Sequence, residues 1–286
     1  CIRDRFIKIL KFDIKNGIIK RIWLYAILFL FFWLVDFVLF MQRMNMGVDT
    51  PELIEQKLTI GDMLLYALGG AKHFVIEETV AFPFPVQWML VILIIAFTSL
   101  RYPVDNLSGY GRHIIILSGS RRAWWISKCV WLMINICIYY FIMLLSAASF
   151  ALFVGAECNL NINEFLLRLL MLNFRELVPM PWNIVVPLLL HIFTVYVLCM
   201  LQMLLSFFIR PLMSFFITSA ILVFSLFFSS PFLIGNLAMP LRTENITTDE
   251  PISIGLGFVL CLSLCIVIFV IGLIKVNRMD ILTKED

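Results

Sequence analysis

The sequence predicts an all-α, polytopic membrane protein with six transmembrane helices, an N-terminal interfacial helix and a short cytoplasmic helix. Three observations carry this. Apolar residues make up 62% of the 286 positions and charged residues only 14%, against about 25% charged in a soluble domain. The apolar residues gather in six runs of membrane-crossing length, about 20 residues each. The basic residues fall mostly in alternate connections, the bias that marks a cytoplasmic side.

Residues 3–18, RDRFIKILKFDIKNGI, place Phe6, Ile7, Ile9, Leu10, Phe12 and Ile14 at helical spacing with basic residues between. That pattern suits an amphipathic helix in the inner interface, occupying residues 1–20. The six runs then cover 21–42, 85–101, 123–154, 183–208, 212–236 and 253–275. The third is long enough to tilt or to begin outside the bilayer. The whole chain, 1–286, reads as one transmembrane domain: spans one and two with their outer loop at 21–101, a cytoplasmic segment at 102–122, then spans three to six and the tail at 123–286.

An even count of spans puts both termini on one side. Arg3, Arg5, Lys8, Lys11, Lys15, Lys20 and Arg21 precede span one. Arg101, Arg112, Arg121, Arg122 and Lys128 follow span two, and Lys275, Arg278 and Lys284 close the chain. This weighting places both termini in the cytoplasm. The chain opens on Cys1, so residues before it are expected. No cleavable signal pattern is visible. Of the seven cysteines only Cys158 falls in an outer loop, and no disulfide framework is implied.

In the outer loop, Thr59 and Asp62 cap a helix over Thr59–Ala71 that Gly69-Gly70 ends. A second helical pattern runs through NLNINEFLLRLLMLNFREL, 159–177. Residues 229–251 alternate short apolar pieces with Pro231 and Gly235, as in a re-entrant turn buried in protein. Within the spans, Asp36 is either a group on a translocation path or a carboxylate bonded at a helix contact. His191 is either a proton relay or polar glue between helices.

The segment 101–128 carries the densest information. Asp105 and Asn106 can cap a short helix. Gly109 and Gly111 loosen its start, Ile114–Leu117 forms an apolar knob, and Ser118-Gly119-Ser120 breaks it. Arg121 and Arg122 follow, with Trp124 and Trp125 expected as belt residues at headgroup depth and Lys128 snorkelling one turn further in. A short amphipathic helix rigidly joined to a span can transmit force from a soluble partner.

This arrangement resembles the permease subunits of ABC-2-type transporters, of the kind that serve bacteriocin or antimicrobial-peptide export or immunity. Their coupling-helix segment reads as a glycine, a short hydrophobic run, a Ser-Arg turn and a Lys entering span three: here Gly111, Ile114–Leu117, Ser118–Arg122 and Lys128. Many members carry an acidic residue and a Gly-Thr pair where this chain has Leu107-Ser108-Gly109-Tyr110-Gly111-Arg112. The docking surface is therefore expected on the knob and its neighbours, Tyr110, Arg112, His113, Ile114, Ile115, Ile116, Leu117, Arg121 and Arg122, and not on a particular salt bridge.

The resemblance implies a transport subunit in a bacterial cytoplasmic membrane that moves an amphipathic or hydrophobic substrate, such as a peptide, a drug or a lipid-like molecule. It implies two partners besides membrane lipids: a second permease copy or homologue, and an ABC ATPase subunit that holds the ATP and Mg. This chain has no G-x-x-x-x-G-K-[ST] phosphate loop of its own. No cofactor, metal set, catalytic constellation or nucleic-acid partner is expected. His73, His113 and His191 lack ligand spacing, no G-x-S-x-G elbow is present, and Glu77-Glu78 falls outside the spans. The alternative is a non-transporting membrane sensor or assembly subunit that docks another cytoplasmic partner through the same loop.

Overall fold

Away from water, a helix satisfies its backbone within one segment, so long apolar runs become helices. The computed structural model describes residues 2–49, 56–72, 84–104, 121–170, 177–248 and 250–278, with side chains from residue 6 to 45 in the first of these. Helix α1 (Ile2–Gly17) passes through a 3-10 turn, Ile19–Arg21, into α2 (Ile22–Asp49). Then come α3 (Ile60–Leu68), α4 (Val86–Leu100) and α5 (Arg121–Val154). A two-residue antiparallel pair, β1 (Asn161–Ile162) with β2 (Trp182–Asn183), brackets α6 (Glu164–Leu169). Helices α7 (Val185–Leu205), α8 (Pro211–Phe227), the short α9 (Ile234–Leu237) and α10 (Ile254–Arg278) complete the chain.

Among the described residues, five helical segments are long and apolar enough to cross a membrane: Phe6–Asn45, Val86–Val104, Arg121–Val154, Val185–Leu205 and Ile254–Arg278. Helix α8, at 17 residues, is apolar but shorter.

Helix α5 is the spine. Its 34 residues extend about 51 Å at 1.5 Å per residue, more than the roughly 30 Å of a hydrocarbon core. Helices α1, α2, α3, α4, α7 and α10 all pack on it. Helix α1 runs beside its first turns: Asp13 meets Ser127 and Lys128, and Gly17 meets Trp131. The glycine is required there, since a Cβ would lie 2.4 Å from the Trp131 indole nitrogen. Further along, the Tyr25 hydroxyl donates to Asn135 Oδ1 at 2.5 Å, and Trp33 sets its edge against Phe150 at 5.0 Å between ring centroids. The expected N-terminal helix is thus present, with its Ile9–Asp13–Gly17 stripe buried against protein.

Trp124 and Trp125 are core residues, 1% and 0% exposed, not an interfacial belt. Trp125 donates to the Phe269 carbonyl at 3.1 Å, and its ring lies over Gly272 where a Cβ would come within 2.1 Å. The small residue on α10 opened the space for the indole, and nothing within residues 121–128 encodes that.

At the far end of α5, α3 forms as its capping box prescribes. Thr59 Oγ1 accepts from Asp62 N, and the Asp62 carboxylate accepts from Thr59 N, both at 3.0 Å. The expected helix over 159–177 is instead a strand pair and the six-residue α6. Its asparagines spend their side chains on other partners: Asn159 accepts locally from Asn161 N, and Asn163 donates across the chain to Lys57 O and Asp62. Such bonds compete with helix formation. Residues 234–243 are buried in protein, as a re-entrant turn requires.

Candidate functional site

Two polar clusters stand out, one around the first turns of α5 and one that meets α5 near its midpoint, at Tyr140. The first joins three elements. Asp13 of α1 is 0% exposed and pairs with Lys128 of α5, itself 1% exposed. Ser127 Oγ donates to Asp13 Oδ2 at 2.6 Å, and the Tyr102 hydroxyl, just past α4, donates to Asp13 Oδ1 at 3.0 Å. The ammonium also lies 4.9 Å from the Tyr102 ring centroid and 5.3 Å from that of Trp124. Tyr102 stacks on Trp131 at 4.4 Å, and Arg21 reaches the Thr98 carbonyl.

The sequence reading had Lys128 snorkelling to the interface; the structure instead turns it inward onto a carboxylate. Two buried unit charges survive away from water only when paired and hydrogen-bonded. Here every charged oxygen of Asp13 has a donor. Sequence reasoning missed Asp13 because it sits among lysines in an apparently simple basic helix. The available signal was its position, i, i+4 from both Ile9 and Gly17 on the apolar face.

The cluster therefore grips both ends of the 105–120 connection: Tyr102 on the entering side, Ser127 and Lys128 on the leaving side. Of the expected docking residues, Tyr110, Arg112, His113, Ile114, Ile115, Ile116 and Leu117 lie outside the described residues. Arg121 is described and donates to the Asn277 carbonyl of α10 at 2.7 Å, while Arg122 is exposed. His73 and Glu77-Glu78 also lie outside the described residues.

The second cluster gathers around the Ala238 carbonyl. His191 of α7 is fully buried. Its Nδ1 faces the Ala238 carbonyl at 2.6 Å, and its Nε2 the Tyr140 hydroxyl at 2.7 Å. A carbonyl can only accept, so Nδ1 carries the proton and Nε2 accepts from Tyr140. Trp88 of α4 donates to the same carbonyl at 2.6 Å. With both ring nitrogens committed, His191 has the geometry of a tie between α4, α5, α7 and residue 238.

Arg242 ends the 3-10 turn Pro240–Arg242 that follows α9. It is 3% exposed. Its Nε donates to Ala71 O at 2.9 Å, Nη1 to Ser225 O at 2.7 Å and to Asn236 Oδ1, and Nη2 to Leu226 O at 3.0 Å and Lys72 O at 3.2 Å. Ser225 and Leu226 end α8, where a cation meets the negative end of the helix dipole. Burial lowers the guanidinium to about 10, which leaves it charged at neutral pH. Nearby, burial lifts the Asp62 carboxyl to about 6 although backbone and Asn163 donors oppose the shift.

Asp36 of α2 is 4% exposed, and its Oδ2 has no hydrogen-bond partner among the described residues. No hydrogen bond among those residues joins it to His191. No group of three or more His, Cys, Asp or Glu among the described residues could hold a metal ion.

These elements define the class: a largely helical protein with apolar helices of membrane-crossing length, clamped by buried polar clusters. Within that class the chain belongs to the family described as protein of unknown function (DUF2705), whose model matches residues 66–282. Lys128, His191 and Arg242 fall inside the match, and Asp13 and Asp36 precede it. No curated protein and no solved structure matches the chain.

Proposed function

We infer that this chain is the permease subunit of an ABC-2-type transporter, half of a translocation path completed by a second copy or a related permease. It is driven by a separate ATPase that binds the 105–120 connection. The observation that carries the reading is the Asp13–Lys128–Ser127–Tyr102 cluster. It stiffens both flanks of a basic loop with an apolar knob, as a part that receives force from outside requires. In this reading α8 also crosses, as the fifth of six spans, both termini lie in the cytoplasm, and residues 229–251 re-enter the membrane from outside.

An apolar groove of about 240 Å³ between α5 and α7, lined by Cys137, Phe141, Leu144, Leu188 and Ile192 among others, supports lateral entry of an amphipathic substrate.

Affinity purification from native membranes tests the reading. A subunit that carries a phosphate loop and hydrolyses ATP is expected with the wild-type chain and should be lost from Ile115→Asp/Ile116→Asp. A chain that purifies without any ATPase, or a charged-knob variant that keeps it, contradicts the assignment.

A further inference from the structure

The face of α1 turned away from Asp13 is basic and exposed. Lys8, Lys11 and Lys15, at i, i+3 and i+7, share it. Among the described side chains of α1, the acidic residue is Asp13. It points the other way, and Lys128 neutralises it, so it subtracts nothing from the outward charge. Immediately after α1 the surface becomes apolar: Ile19, Ile22 and Trp23 are 58%, 69% and 61% exposed, with the exposed Lys20 among them.

A lysine face that runs into an exposed Ile-Trp shoulder, at the start of a membrane-length helix, has the order of a bilayer surface: headgroup charge, then an aromatic at the interface, then hydrocarbon. An acidic protein would match the lysines and leave the shoulder bare. An anionic leaflet matches both. We propose that the Lys8–Lys11–Lys15 face of α1 binds anionic phospholipid headgroups, and that the Asp13 contact on its opposite face passes this attachment to the flanks of the 105–120 connection. Leaflet charge then sets how firmly the connection is held. Three lysines at an anionic surface are worth on the order of 10²-fold in partitioning.

This deepens the permease reading and rests on its placement of α1 at a membrane face, yet its test needs neither ATPase nor substrate. The full chain is reconstituted into phosphatidylcholine bilayers and into mixed phosphatidylcholine–phosphatidylglycerol bilayers, and amide hydrogen exchange is followed by peptide. Exchange across α1 and the first turns of α5 should slow in the mixed bilayer by on the order of 10²-fold at low salt and lose that difference at high salt, where surface charges are screened. Lys8→Gln/Lys11→Gln/Lys15→Gln should abolish the difference in both helices; these side chains are exposed, so the fold is retained. Asp13→Asn should keep it in α1 and lose it in α5. Equal exchange in the two bilayers, or a triple variant that still distinguishes them, overturns the proposal. So does protection that an acidic soluble protein supplies and phosphatidylglycerol does not.

Discussion

Lys128 and Arg242 are both buried cations, and the fold holds them in opposite ways. Arg242 is held by neutral oxygens, four of them backbone carbonyls, at the end of α8 and after α3. At the first turns of α5, Lys128 is held by one carboxylate on a separate helix, and the Ser127 and Tyr102 hydroxyls donate to that carboxylate. The carbonyl cage cannot rearrange without unwinding the ends of α8 and the turn after α3. The ion pair can separate by a slide of α1 alone. Arg242 is therefore an anchor, and on the permease proposal the Lys128 pair is where a partner's push would be taken up.

Substitutions can break this contrast, and they rank by how many groups each one strands. Arg242→Met should be the most damaging. It orphans four buried acceptors, at about 1–3 kcal/mol each when unsatisfied, and a fifth that is part-buried; the expected outcome is loss of folded protein in a size-exclusion profile from detergent. Asp13→Ala or Lys128→Ala leaves one uncompensated buried charge, a cost of about 3–5 kcal/mol. Thermal melts should show a clear destabilisation, still with recoverable protein. The exchanged pair Asp13→Lys/Lys128→Asp should recover more than half of that loss, whereas no comparable exchange can rescue Arg242.

His191→Phe strands the Tyr140 hydroxyl and removes one of the two donors to the Ala238 carbonyl, so a loss of about 1–2 kcal/mol is expected in the same melts. At the bottom of the scale, Glu164→Gln should change stability by less than about 0.5 kcal/mol. Its i, i+4 pair with Arg168 is solvent-exposed, and such pairs contribute little. A ranking in which Asp13→Ala proves milder than Glu164→Gln would dissolve the distinction between the two cations.

Much of the fold was legible because it follows from apolar run length. The helix starts at Ile60 and Ile254, the Thr59–Asp62 cap and the Gly69-Gly70 stop can be read from local residues alone. What could not be read were pairings across the chain. Lys128 looks like an interfacial lysine until Asp13 is brought beside it across 115 positions. Trp125 looks like a belt residue until Gly272 makes room for it. Arg242 looks like a loop cation because its partners are backbone carbonyls, which carry no sequence signature. Asn159–Asn163 misled in the other direction: the Leu/Phe spacing that follows is helical, but the asparagines bind other partners and shorten the helix to α6.

The proposed coupling role of the Asp13–Lys128 pair is tested most directly by ATP hydrolysis in a complex reconstituted from this chain and the ATPase it is proposed to bind. Asp13→Lys should lower the rate at least tenfold while the ATPase remains bound, and Asp13→Lys/Lys128→Asp should restore most of it. Hydrolysis that stays at the wild-type rate in the single variant, in a complex that is folded and intact, would contradict it.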